Sequence, residues 1–129
     1  MLPPVDQSHL DERAPGSLVA ADAGMICVVI PGFTLPPGFT CPSADLMLRL
    51  SPGYPDVPPD MWWFNPPVQR IDGQTIVATQ HQEAYLGRTW QRWSRHLTAG
   101  QWSAGVDSLE SYLALVRKEL VSAARALAA

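Results

Sequence analysis

The sequence predicts an α+β fold: a four-stranded antiparallel meander, a long crossover segment, and a C-terminal helix laid against the sheet. Three observations predict it. All thirteen prolines of the 129-residue chain fall at or before Pro67. Proline breaks helix interiors, so the front is strand-and-corner architecture and the back is free to form helix. Before Pro67, apolar stretches of strand length alternate with Gly and Pro turn signals. Near the C-terminus, Leu109, Leu113, Val116, Leu120, Ala124 and Leu127 recur at helical spacing.

Taken in order, Val5 to Arg13 reads as a short helix with Asp6 as its cap and Leu10 facing inward. Pro15 and Gly16 end it. Leu18 to Ala21 is a first strand, and Asp22-Ala23-Gly24 a turn. Met25 to Ile30 is continuously apolar, as expected of a strand buried on both faces. Pro31-Gly32 and Pro36-Pro37-Gly38 bend the chain, with Phe33, Leu35 and Phe39 packing inward. Ala44 to Leu50 alternates apolar and polar, the mark of a half-buried strand. Met61 to Phe64 is aromatic enough for the fourth.

Between these last two strands lies a corner with four prolines from Pro52 to Pro59. It cannot pair inside a sheet, so it turns the chain reproducibly. Tyr54 can lay its ring over the prolines and hydrogen-bond through its hydroxyl, and Tyr54-Pro55 is a cis candidate. Asp56 and Asp60 read as turn residues. Beyond Asn65-Pro66-Pro67, Asp72-Gly73 is a tight turn and Thr75 to Thr79 a minor strand. From Gln80 to Gln101 polar sequence is punctuated by Tyr85, Leu86, Trp90, Trp93 and Leu97, a surface segment pinned by aromatic anchors. The final helix starts near Asp107, where Glu110 three residues on suggests a capping box. It closes on an alanine-rich end after Ser122.

The bulk numbers fit one domain with a modest core. An apolar fraction of 47% and a charged fraction of 16% describe a compact chain rather than a disordered one. A net charge of −3 argues against general attraction to nucleic acid or an anionic membrane. No apolar run reaches the length of a membrane span, and the N-terminus has no secretory pattern; cytoplasmic residence is expected by default. Cys27 and Cys41 form neither a metal cluster nor a disulfide framework. Cys27 reads as a core thiol, and Cys41 as a loop thiol. No metal and no cofactor are expected.

The corner, Gly53-Tyr54-Pro55-Asp56-Val57-Pro58-Pro59 between two strands, resembles the core of the ubiquitin-conjugating (UBC) fold. The order of the later segments resembles it too: a long crossover from Asn65 to Gln91, the segment Trp93-Ser94-Arg95-His96-Leu97, then Trp102, then a helix. The run Trp90 to His96 is most similar to a divergent bacterial branch, prokaryotic family E of that superfamily. The resemblance spans roughly residues 24–120. On it the chain divides into an N-terminal segment 1–17, the meander 18–64, the crossover and active-site segment 65–105, and the helix 106–129.

UBC enzymes carry a ubiquitin-like protein as a thioester on a cysteine eight residues before the matching tryptophan. Eight residues before Trp102 stands Ser94, and no cysteine occurs after Cys41. A thioester at the usual place is therefore chemically impossible. The usual His-Pro-Asn element is missing as well. Two readings remain. In one, the Ser94 hydroxyl replaces the thiol and forms an oxyester. Serine then needs a base: His96 if the segment is extended, or His81 from the crossover. Arg95 would steady the acyl oxygen or the modifier's tail, with Tyr54, Trp90, Trp93 and Trp102 shaping the site. In the other, Ser94 only fills a lost nucleophile's place in a noncatalytic adaptor.

Arg88, Arg92 and Arg95 alternate with Trp90 and Trp93. They read either as a basic, aromatic-lined docking place for a partner's tail, or as core tryptophans beside a solvated charged face. The resemblance implies a bacterial ubiquitin-like conjugation system, often antiphage. Its partners would be a β-grasp ubiquitin-like protein and an adenylating activating enzyme.

Overall fold

The computed structural model describes residues 1–125. Helix α1 (Pro4–Arg13) leads into strands β1 (Leu18–Asp22), β2 (Met25–Thr34), β3 (Ser43–Leu50) and β4 (Trp62–Asn65). Strands β5 (Gln82–Tyr85) and β6 (Arg88–Trp93) come next, and helix α2 (Leu109–Arg125) ends the described chain. Leu127 and most of the alanine-rich end lie outside the described residues.

All strand pairs are antiparallel, in the order β1-β2-β3-β4-β6-β5. The four expected strands are present and run as a meander. The four-stranded count is corrected to six, because the crossover folds back as a hairpin. Leu86 and Gly87 sit at its tip with φ of 55° and 72°, the left-handed pair that a tight two-residue hairpin requires. Strand β6 then pairs with β4, Trp62 opposite Trp93 and Phe64 opposite Gln91. The Thr75–Thr79 strand is also corrected: this stretch is irregular, and the Thr79 hydroxyl donates locally to the Ile76 carbonyl at 2.9 Å.

The sheet is buried on both faces at its centre. One face carries Val28, Ile30, Leu46, Leu48, Trp62, Phe64 and Trp93, packed with Leu109, Leu113, Val116 and Leu120 of α2 and Leu10 of α1. The other carries a smaller cluster of Cys27, Val29, Met47, Trp63 and Trp90. Strand β2 contributes to both, so its unbroken apolar run has a physical cause. Arg49 closes the smaller cluster, its guanidinium 3.8 Å from the Tyr85 ring centroid and 2.8 Å from Asp22.

Two capping expectations are corrected. Pro3 caps α1 without a side-chain bond. Asp6 is buried instead, accepting from the Leu109 N–H at 2.9 Å and the Tyr54 hydroxyl at 2.7 Å. It therefore satisfies the first N–H of α2, one of the orphan donors that every helix start leaves. Asp107 accepts from the Ser103 N–H at 2.8 Å, so the capping box with Glu110 is not what starts the helix.

Candidate functional site

The proline corner between β3 and β4 is tied to the rest of the body by aromatic groups. Tyr54-Pro55 is cis, as the sequence suggests, and so is Asn65-Pro66. The Tyr54 ring lies 6.0 Å from Trp102, which lies 6.4 Å from Tyr112 of α2. The Trp102 indole N–H donates to the Pro55 carbonyl at 2.9 Å. Burial, then the Asp6 carboxylate, push the Tyr54 phenol far above its ordinary pKa, so it remains a donor. Burial, with Asp60 adding to it, raises the Tyr112 phenol likewise. Tyr54 and Trp102 thus fix where the segment after β6 can run.

That segment, Ser94 to Leu97, leaves the sheet at the Trp62–Trp93 end and is gripped from two sides. The Ser94 N–H donates to the Ala78 carbonyl at 3.0 Å, and the Arg95 carbonyl accepts from the Met61 N–H at 3.0 Å. Ala78 and Met61 have φ of 57° and 61°. The other non-glycine residues with positive φ, Ala23 and Leu86, each precede a glycine in a hairpin turn. Among the described residues, the two non-glycine residues with left-handed backbone outside hairpins therefore both hold this segment. Left-handed backbone costs a non-glycine residue about 1–2 kcal/mol, and such strain gathers where surrounding structure over-determines a functional geometry. Met61 is held further by its carbonyl, which accepts from the Tyr112 hydroxyl at 3.1 Å.

The Ser94 hydroxyl oxygen accepts from Arg92 Nε–H at 3.1 Å, and the residue as a whole is partly exposed. Neither His96 nor His81 is among its hydrogen-bond partners. His96 turns to Asp60 instead, with Nδ1 2.6 Å from Oδ1. His81 is exposed, and its carbonyl accepts from the Arg92 N–H at 2.9 Å. Arg95 donates to the Val77 carbonyl at 2.9 Å and lies 3.8 Å from Glu119. Burial lowers its pKa, against the pull of Glu119.

Trp90 and Trp93 are fully buried, in the two clusters on opposite faces of the sheet. They cannot line a docking surface together, which leaves the core reading of these two. The arginines are engaged as well. Arg88 bonds Asp45 and Asn65, while Arg92 bonds Ser94 and approaches Glu83 at 3.5 Å.

The cysteines stand apart from the segment. Cys27 is fully buried, and burial raises its thiol pKa even though Arg49 opposes it. Cys41 is half-buried just before β3, at the end of the sheet where Thr34 pairs Ser43. Strand register puts Ser94 at the other end. Among the described residues no group of three His, Cys, Asp or Glu side chains could hold a metal ion.

Two small cavities of about 210 and 190 Å³ lie side by side between residues 95–102 and α2, sharing Leu97, Gln101, Tyr112 and Leu115. Trp62, Arg95, His96 and Glu119 line the first. Sequence reading misses the backbone roles of Met61 and Ala78 and the partners of Asp60 and Arg92, the latter read there as a docking arginine. Asp60 looks like an ordinary turn residue, and no spacing rule marks Arg92 as a partner of Ser94 beyond its place two residues earlier in a strand.

A family model, prokaryotic E2 family E, matches residues 2–123. The chain belongs to that family. Comparison with curated proteins gave no match, and neither did comparison with solved structures. Membership in prokaryotic E2 family E makes this an E2-like protein, with a role of the ubiquitin-conjugation type. Ubiquitin-like proteins and activating enzymes are the general class of partner that goes with it. The α+β architecture, with an antiparallel sheet backed by a C-terminal helix, is consistent with that membership. No described helix is long and apolar enough to cross a membrane.

Proposed function

We propose that this E2-like protein carries the C-terminus of a ubiquitin-like protein as an oxyester on Ser94. One observation carries the reading: the hydroxyl of a partly exposed serine, bonded by Arg92 Nε–H, stands on a segment held by two left-handed residues. Because Arg92 donates to the oxygen, the hydroxyl hydrogen is left for a base. The thiolate that leaves the activating enzyme's thioester serves as that base. The Ser94 Oγ–carbonyl bond forms, the carbonyl–sulfur bond breaks, and the hydroxyl proton ends on the departing thiolate. Arg92 would also steady negative charge developing on Oγ. Arg95, occupied by Val77 and Glu119, would act by positioning rather than by touching the acyl oxygen. A place in antiphage defence is compatible with this chemistry and is not needed for it.

A noncatalytic adaptor that binds the modifier or its activating enzyme is the second reading. It is favoured by the lack of an imidazole bond to Ser94. Incubation with a ubiquitin-like protein, its activating enzyme and ATP separates the two. The carrier gives an adduct that resists thiols, yields to hydroxide, and disappears in Ser94→Ala. Binding without any adduct supports the adaptor, and an adduct removed by Cys41→Ala refutes both readings of Ser94.

A further inference from the structure

We infer that Asp60 is a positioning residue for His96: it fixes the imidazole as the Nδ1–H tautomer and leaves Nε2 as the basic atom for an incoming acceptor amine. The inference rests on the carrier reading of Ser94 and adds to it the base for the second half of the reaction.

The geometry begins with the 2.6 Å contact between His96 Nδ1 and Asp60 Oδ1. A carboxylate only accepts, so the hydrogen of that bond lies on Nδ1. In the neutral ring the lone pair is then on Nε2. A carboxylate behind an imidazole does this wherever a histidine must present one chosen nitrogen.

The pair is poorly explained as a structural brace. Its side chains are 62% and 57% exposed, and an exposed ion pair is worth about 0–1 kcal/mol. The two segments it spans are already joined by the Met61 N–H and the Arg95 carbonyl at 3.0 Å. What the contact adds is orientation. Asp60 is held for that task, between the Pro58-Pro59 step and left-handed Met61.

The position of the ring fits the role. His96 lines the cavity of about 210 Å³ between residues 95–101 and α2, whereas Asp60 is not among its walls. The ring edge turned from Asp60 is the one left for a ligand. Trp62 lines the same cavity, and among the described residues its indole N–H is the buried side-chain donor without a partner. One wall of the cavity is thus an imidazole whose Nε2 has no hydrogen-bond partner among the described residues.

Ser94 does not line this cavity, and its oxygen is bonded to Arg92. His96 therefore serves the acceptor and not Ser94. In the transfer step the amine nitrogen attacks the ester carbonyl. The N–C bond forms, the C–Oγ bond breaks, the amine proton passes to His96 Nε2, and Oγ is reprotonated from solvent. An oxyester is a weaker acyl donor than a thioester, so a base worth about 10²–10⁴ in rate is needed more here.

Long-range ¹H–¹⁵N correlation on the free, full chain reads the tautomer without any partner. The wild type should show a protonated Nδ1 and an unprotonated Nε2 on neutral His96. In Asp60→Ala the tautomers should mix, and in Asp60→Asn they should shift toward Nε2–H, because the amide can donate to Nδ1. Chemical denaturation of each variant checks that the fold is kept. A wild-type ring that is mainly Nε2–H, or one unchanged by Asp60→Ala, overturns the inference.

The functional arm uses protein pre-charged on Ser94 and free lysine as the acceptor. Discharge should slow about tenfold or more in Asp60→Ala, with charging unaffected. Charging without that slowing refutes Asp60 and leaves the carrier standing. Failure to charge at all refutes the carrier, while the tautomer result still decides Asp60.

Discussion

Replacing Tyr54 by Phe removes one oxygen and tests how the corner is joined to both helices. Asp6 is 1% exposed and accepts from the Tyr54 hydroxyl at 2.7 Å and the Leu109 N–H at 2.9 Å. The ring of Tyr54 is otherwise retained against Trp102. The substitution therefore leaves a buried carboxylate with one donor instead of two. A hydrogen bond to a charged group contributes about 1.5–3 kcal/mol, and stranding its partner adds desolvation cost. We expect Tyr54→Phe to lose about 2–3 kcal/mol in urea unfolding at neutral pH. Asp6→Ala, which also frees the first N–H of α2, should lose at least as much. The double variant should fall short of the sum by about 1 kcal/mol or more, since the two share one interaction. A loss below about 0.5 kcal/mol for Tyr54→Phe, or strict additivity, would refute the claim that Asp6 links these elements.

The structure implies three further outcomes. Partial burial tends to raise the Asp45 carboxyl, but the Gly32 N–H and the Arg88 guanidinium outweigh it and hold the folded pKa below the ordinary 3.8. Its stabilising contribution is then present above that value and lost as pH falls through the lowered one; acid titration of stability should be shallower in Asp45→Asn. Tyr54 has the opposite sign: burial and Asp6 raise its phenol above the ordinary 10.0. Its contribution is full below pH 10.0 and declines above it, so alkaline unfolding should be less steep in Tyr54→Phe. Gly38 has φ of +112°, and an added Cβ would meet the Ala124 Cβ at 3.0 Å; Gly38→Ala should cost about 1–3 kcal/mol by thermal or urea unfolding.

Much of the fold is legible in the residues themselves. The unbroken apolar run Met25 to Ile30 announces a strand with two buried faces, and β2 indeed feeds both clusters. The Leu109 to Leu120 spacing announces α2. What escapes is set by tertiary partners. The β5–β6 hairpin turns on Leu86-Gly87, a weaker signal than Asn-Gly, and its outward residues look like loop. Asp6 has the composition of a local cap, yet its partners are residues 54 and 109, far along the chain. The candidate site is legible in the same measure. Counting back from Trp102 finds Ser94, and the structure puts it just past the end of β6 with Arg92 for a neighbour. Asp60 and His96 lie 36 residues apart and meet only in the folded chain, and the left-handed Met61 beside Asp60 has no sequence hint either.

The central claim is that an oxygen occupies the position of the family's acyl-carrying sulfur. Ser94→Cys tests it most directly, with intact-mass and peptide-mapping spectrometry after incubation with activating enzyme, ubiquitin-like protein and ATP. The account predicts one adduct in each protein, mapped to residue 94: resistant to thiol reductant in the wild type, released by it in the variant. A folded Ser94→Cys protein that takes no adduct, or an adduct mapped to Cys41, would contradict it.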